Sequence, residues 1–151
     1  MIPSDAIEIR EVVPADAGAV GRLLDQFGYP LGLAELERRL ARFSSDATVC
    51  LLVAEDAAST VGVGMLQTVE VLEGDGPLGM LLTLIVDRTA RRRGVGTRLV
   101  EELERFARQQ WCFGIVVQSG SRRIEAHSLY QGLGYEQTGE RFLKIFDRPR
   151  S

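Results

Sequence analysis

The run MLLTLIV, residues 80–86, is apolar almost without a break, and it leads directly into DRTARRRGVGTRLVEELERFARQQ, residues 87–110. A strand of that kind is covered on both faces. The turn after it carries Gly94 and Gly96, and helical periodicity begins near Val95. Buried strand, glycine turn and amphipathic helix in that order fit a layered α/β domain. The same order builds an anion site. The first N–H groups of a helix have no intrahelical partner, and the helix dipole adds partial positive charge where they converge. Two glycines let the backbone curl and let a ligand approach without a Cβ in the way. Arg91, Arg92 and Arg93 add cationic field. No GK[ST] follows, so this is not a Walker loop, and the three glycines of the dinucleotide fingerprint are missing. On spacing alone the turn is either an anion site or a set of surface arginines flanking an ordinary helix start. Its place directly after a buried strand favours the first.

The rest of the chain supplies the other layers. AIEIREVV alternates as a strand, and Pro14 opens a helix on which Ala19, Val20, Leu23, Leu24 and Phe27 share a face until Gly28 and Pro30 stop it. A second helix, LAELERRLARF, is amphipathic through Leu33, Leu36, Leu40 and Phe43. TVCLLVAED and TVGVGMLQTVEVL read as an antiparallel hairpin turning around Ala57 and Ser59, and EGDGPLG reads as a loop. On the helix after the glycine turn, Val95, Leu99, Val100, Leu103, Phe106 and Ala107 form the buried face, with Glu101–Arg105 and Glu104–Arg108 expected as i,i+4 pairs. CFGIVVQS is a further buried strand, a last helix covers roughly Arg123 to Leu133, and GYEQTGERFLKIF is expected to close the chain as strand, turn and strand. With 151 residues, no repeat, no linker and no break in composition, one α/β domain over residues 1–151 with a mixed sheet is the economical reading.

Composition narrows the function. The chain is mildly acidic, at a net charge of −3, and no aromatics interleave with its arginines, so nucleic acid is not an expected partner. No apolar run is long enough to span a bilayer and the first residues, MIPSDAIEIR, do not resemble a signal peptide, so no membrane partner and a cytoplasmic location are the expectation. Cys50 and Cys112 lie in apolar surroundings without metal-ligand spacing and read as buried reduced thiols, so no metal is expected. His127, the only histidine, has no serine or cysteine at a motif-like spacing, which leaves a hydrolase triad unsupported.

The second informative stretch is RIEAHSLYQGLGY, Arg123 to Tyr135, in which Ala126, Leu129, Tyr130 and Leu133 line up on a helix that Gly134 ends. Together the two stretches resemble the GNAT superfamily of acetyl-CoA-dependent N-acetyltransferases. RRRGVG is similar to that family's (R/Q)-x-x-G-x-(G/A) cofactor loop, and AHSLYQGLGY is similar to its A-H-x-F-Y-x-x-x-G-F signature, with Leu129 and Tyr135 in place of the two phenylalanines. The resemblance implies a GNAT-like α/β (α+β) fold, a mixed and mostly antiparallel sheet splayed between strands four and five, with about four helices. It implies that the diphosphate of acetyl-CoA lies on the amides of Arg92 to Thr97, which include Gly94, Val95 and Gly96, and that the pantetheine arm runs beside Leu84, Ile85 and Val86. It implies that Tyr130 stands near the thioester sulfur as general acid, and that Ser119, Arg123 and His127 are further cofactor contacts.

Many members carry a glutamate or aspartate on the fourth strand to take the proton from the amine. Here that strand offers only Thr83, and the base is unassigned among Glu70, Glu73, Asp25, Glu35 and a water chain. Phe27, Tyr29 and the loop around them, with Thr83, are expected to wall the acceptor pocket, and acids near it would favour a cationic amine. The resulting expectation is an enzyme moving an acetyl group by direct attack from acetyl-CoA to a small-molecule or peptide amine, with a homodimer left open. Two alternatives stand beside it: an acyl-CoA-binding module that senses without chemistry, and an interaction protein whose basic turn takes acidic partners.

Overall fold

The computed structural model describes residues 6–57, 59–117, 124–139 and 142–146, the side chains of residues 124 and 125 excepted. Five strands form one sheet in the order β1-β2-β3-β4-β5. They are β1 (Glu8–Glu11), β2 (Val49–Glu55), β3 (Thr60–Val69), β4 (Leu78–Val86) and β5 (Gly114–Val117). The first four pair antiparallel and β5 runs parallel to β4. Four helices cover the sheet: α1 (Ala17–Gln26), α2 (Leu33–Ser44), α3 (Val95–Gln109) and α4 (Ile124–Gly132). The architecture is the mixed, mostly antiparallel α/β sheet with four helices that the motifs imply.

Strand alternation divides the core in two. Cys50, Leu52 and Ala54 of β2 pack with Leu99, Val100 and Leu103 of α3 and with Tyr130 of α4. Leu51 and Val53, facing the other way, pack with Val20 and Leu23 of α1 and Leu36 and Leu40 of α2. Helices α3 and α4 therefore cover one face, and α1 and α2 the other.

Two features of β4 shape everything that follows. Met65 pairs with Thr83 but Leu66 pairs with Leu81, so Leu82 is the extra residue of a β-bulge. The bulge reverses the alternation: Leu81 lies with the α3 cluster and Ile85 with the α1/α2 cluster, although an unbroken strand would put both on one face. Among the described residues, β5 accompanies β4 as far as the Leu81–Val117 pair.

Several expectations are corrected. The described residues of GYEQTGERFLKIF form no strand: residues 135–138 and 142–146 are irregular, and Phe142 and Ile145 are 88 % and 83 % exposed. Apolar content alone misled there, because a strand needs a ladder partner as well as a pattern. Leu33 is exposed instead of sharing the buried face of α2. Arg105 pairs with Glu102, at i,i+3, and not with Glu101. Both cysteines are free, and burial pushes the Cys50 thiol up to about 12.

Candidate active site

Where β4 leaves β5, a cavity of about 630 Å³ opens between the helical layers. Its walls come from both sides: Leu36, Leu40 and Phe43 of α2 on one, Ala126 and Tyr130 of α4 on the other. The bulged segment Leu82, Thr83 and Leu84 faces it from β4, with Val117 at the end of β5. Tyr29, Pro30 and Leu31, the connection between α1 and α2, form part of the rim. The bulge is what lets three successive β4 residues reach one space.

Tyr130 is 7 % exposed, and its ring meets Tyr135 edge to face at 5.8 Å. The Tyr135 hydroxyl is buried with no hydrogen-bond partner among the described residues, and desolvation together with the Glu104 carboxylate holds it well above the usual phenol range. Leu129, the residue before Tyr130, lies 3.2 Å from where a Cβ on Gly96 would stand, with Val86 at 3.6 Å. The first turn of α3, the end of β4 and the signature helix α4 thus touch at one point beside the cavity.

The glycine turn has the form an anion site needs. Gly94 is the N-cap of α3 with φ +76° and no capping side chain, and Arg92 is also left-handed at φ +67°. A non-glycine residue held at positive φ costs on the order of 1–3 kcal/mol, a strain that marks a built turn. The three arginines are not equivalent. Arg93 donates to Asp56 at 3.1 Å, Arg91 lies over the Phe27 ring at 5.8 Å, and Arg92 is exposed. Upstream, Asp87 accepts from Thr89 N–H and Oγ1, which holds its carboxyl below the usual range and fixes the exit from β4.

The structure therefore brings Leu84, Ile85, Thr83, Tyr29 and Tyr130 into one wall system, with Val86, Val95, Gly96 and Thr97 next to it. Phe27 lies apart, beneath Arg88 and Arg91, and is not in the cavity wall. His127 is half-buried on α4 and also outside the wall. Ser119 and Arg123 lie outside the described residues. Glu70, Glu73 and Asp25 are exposed and none of them lines the cavity. Glu35 does not line it either; it is bound by Arg38 and Arg39, which hold its carboxyl below the usual range.

Sequence reasoning missed Arg39, which is the only charged residue among the described residues of the wall. The signal was present, since Arg39 falls inside the stripe Leu36, Leu40, Phe43 that α2 turns inward. A phenol, a helix N-terminus and a largely apolar chamber together can hold an anionic group at one end and exclude water from the other. Among the described residues no helix is long and apolar enough to cross a membrane, and no acid, histidine and cysteine group could hold a metal ion.

Residues 20–135 match the model of the acetyltransferase (GNAT) family. The human protein N-acetyltransferase 8 is 32 % identical over 107 residues, which cover 70 % of this chain and 47 % of that protein. The chain thus spans less than two thirds of its relative's length. Among solved structures, a transcriptional regulator from Bacillus halodurans C-125 superposes with a TM-score of 0.83 at 21 % identity, over 93 % of this chain and 99 % of that one. The aminoglycoside N-acetyltransferase AAC(6')-Iy, solved in complex with CoA, superposes at 0.78 with 18 % identity, over 96 % of this chain and 95 % of that one. At such identities the superpositions speak for the fold, and the family match, reaching from α1 through the signature helix, speaks for the lineage: this chain belongs to the GNAT acetyltransferase family.

Proposed function

We propose that residues 1–151 are a single N-acetyltransferase domain that moves an acetyl group from acetyl-CoA to a primary amine by direct attack. The observation that carries the proposal is the cavity at the β4–β5 gap, with Tyr130 in its wall one residue from the contact of α4 with the first turn of α3. The name of the human relative supports nitrogen as the acceptor, and the CoA complex of a protein with the same fold supports the carrier.

The residues present fit that carrier. At Gly94 a side chain is absent and the space a Cβ would point into is open, so the amides of the turn and first helical turn are approachable. When bound, acetyl-CoA supplies an activated thioester. The backbone amides from Arg92 to Thr97 hold its diphosphate, Arg91 and Arg92 add field, and Arg93 is anchored to Asp56 and braces the turn. The edge of β4 from Leu84 to Val86, beyond the last described β4–β5 pair, receives the pantetheine arm. Tyr130 donates a proton to the departing sulfur. The apolar wall makes an ammonium ion costly to bury, so the amine enters neutral, and the proton its nitrogen sheds on attack leaves through water to bulk solvent, with no carboxylate on β4 required. His127, Ser119 and Arg123 remain proposed as further contacts to the carrier, and Phe27 as a packing residue beneath the acceptor loop.

The test is release of the CoA thiol from acetyl-CoA over a panel of primary amines, where amine-dependent release is expected. The absence of any acid from the described cavity wall favours one other reading, a module that binds acyl-CoA without chemistry. Tight binding of acetyl-CoA with no release for any amine would establish that reading instead.

A further inference from the structure

Among the described residues of the cavity wall there is one charge, and it is positive. Arg39 reaches the chamber from α2 with 40 % of its side chain exposed, its Nε held by Glu35 Oε1 at 3.1 Å. Nη1 and Nη2 carry no hydrogen bond to a described residue, so the forked end of the guanidinium is available. Glu35 does not cancel the local field, because it is shared with Arg38, and α2 carries three arginines against two glutamates. The remaining described wall is aliphatic or aromatic apart from Tyr29, Thr83 and Tyr130. That described wall offers no counter-ion for a second or third ammonium group, and burying one there unpaired is strongly unfavourable.

We propose that Arg39 selects acceptors that carry a carboxylate on an apolar body together with the amine, and that polycationic amines are rejected. The proposal rests on the acetyl-transfer reading for what then happens to the amine. Arginine donates two parallel N–H bonds to a carboxylate, a fit that an ammonium or a neutral amide cannot reproduce. A singly charged carboxylate suits the site better than a doubly charged phosphate, whose desolvation against the apolar wall would leave net charge uncompensated. The same contact orients the acceptor: with the carboxylate fixed on α2, the amine points across the cavity toward α4, where Tyr130 stands.

The test uses matched pairs that differ in the carboxylate alone, L-phenylalanine with phenethylamine and 6-aminohexanoate with hexylamine, plus spermidine as a polycation. In thiol release, the carboxylate member of at least one pair is expected to have a kcat/KM at least tenfold higher than its partner, with spermidine below both. Arg39→Met keeps the length of the side chain and should erase that preference, lowering kcat/KM for the carboxylate substrate about ten- to hundredfold and bringing the ratio between the members of each pair close to one. Arg42→Met removes the same charge from α2, but from an exposed residue outside the cavity wall and not paired with Glu35, and should leave the preference intact. Calorimetry separates this proposal from the catalytic one, because the N-acetylated members of each pair can be titrated without turnover. An Arg39-dependent preference in binding with no thiol release would uphold the selectivity and reject acetyl transfer. Equal handling of both members of both pairs, a preference for spermidine, or a preference that survives in Arg39→Met would overturn it.

Discussion

Tyr130 is held by packing on one side and exposed to the cavity on the other, a combination that lets a conservative change isolate its chemistry. Tyr130→Phe keeps the ring and its edge-to-face contact with Tyr135 while removing the phenol. A general acid lost from the transition state lowers the rate about 10²- to 10⁴-fold. Steady-state kinetics on a confirmed amine should therefore show kcat falling in that range with acetyl-CoA affinity nearly unchanged, and an unaltered kcat when transfer is rate-limiting would remove Tyr130 from the mechanism. Tyr135 predicts the opposite behaviour. Its hydroxyl is buried with no hydrogen-bond partner among the described residues, so Tyr135→Phe relieves a desolvated group and should raise stability by on the order of 1 kcal/mol, read as a shift in the urea midpoint at unchanged slope.

At the scale of elements, the two glycines of the turn before α3 divide their tasks. Gly94 is left-handed with open space around it, so Gly94→Ala strains the turn by about 1–2 kcal/mol and alters the cradle without a clash. Gly96 is close-packed, and Gly96→Val presses on Leu129 and Val86, an overpacking worth about 1–3 kcal/mol that also displaces α4. Acetyl-CoA titration and thermal unfolding should thus show affinity and stability falling in both variants, Gly94→Ala through turn strain alone and Gly96→Val also through the displacement of α4. A second junction ties β1 to the start of α1. Asp16, 8 % exposed, accepts from Arg10 Nη1 and Nη2 at 2.9 and 2.7 Å and from Val13 N–H at 2.8 Å. The Arg10 hydrogen bonds hold the Asp16 carboxyl below its ordinary 3.8. A carboxylate whose folded pKa is depressed stabilises the fold above its unfolded value, and that contribution disappears as pH falls through the folded value. Asp16→Asn should cost about 1.5–3 kcal/mol at pH 7 and progressively less below pH 4, which denaturant titrations across that range would measure.

For the molecule as a whole, the cavity lies where two cores meet, and filling it should couple them. A ligand that binds only the folded state stabilises it by about 2.7 kcal/mol at a hundred times its dissociation constant. Acetyl-CoA should raise the melting temperature accordingly, and adenosine, which lacks the diphosphate, should do much less. Equal shifts from both would argue against the amide cradle at Gly94. The same view explains the missing carboxylate on β4. An acceptor that enters neutral through an apolar chamber makes kcat/KM rise with pH through the amine's own ionisation, so the profile should move with the pKa of the amine used and not stay fixed at an enzyme group.

Much of this was written in local pattern. The strand at residues 80–86, the glycine turn, the buried face of α3 and the stripe of α4 follow from periodicity and turn chemistry, which depend on neighbours within a few positions, and the two motifs with their order were enough to indicate the family. Other features depended on partners distant in sequence. The hydrophobic residues near 142–146 looked like a strand, yet a ladder is a property of two segments and the described residues there have none. The bulge at Leu82 arises from register against β3, and only that register shows Leu81 and Ile85 facing opposite layers. Arg93 meets Asp56 and Arg39 meets the cavity because α2, β2 and the cofactor turn converge in space. Local sequence determined which elements form and where their apolar faces lie; the tertiary structure decided which charges face the reacting groups, because electrostatic and packing partners are set by distance in space and not by distance along the chain.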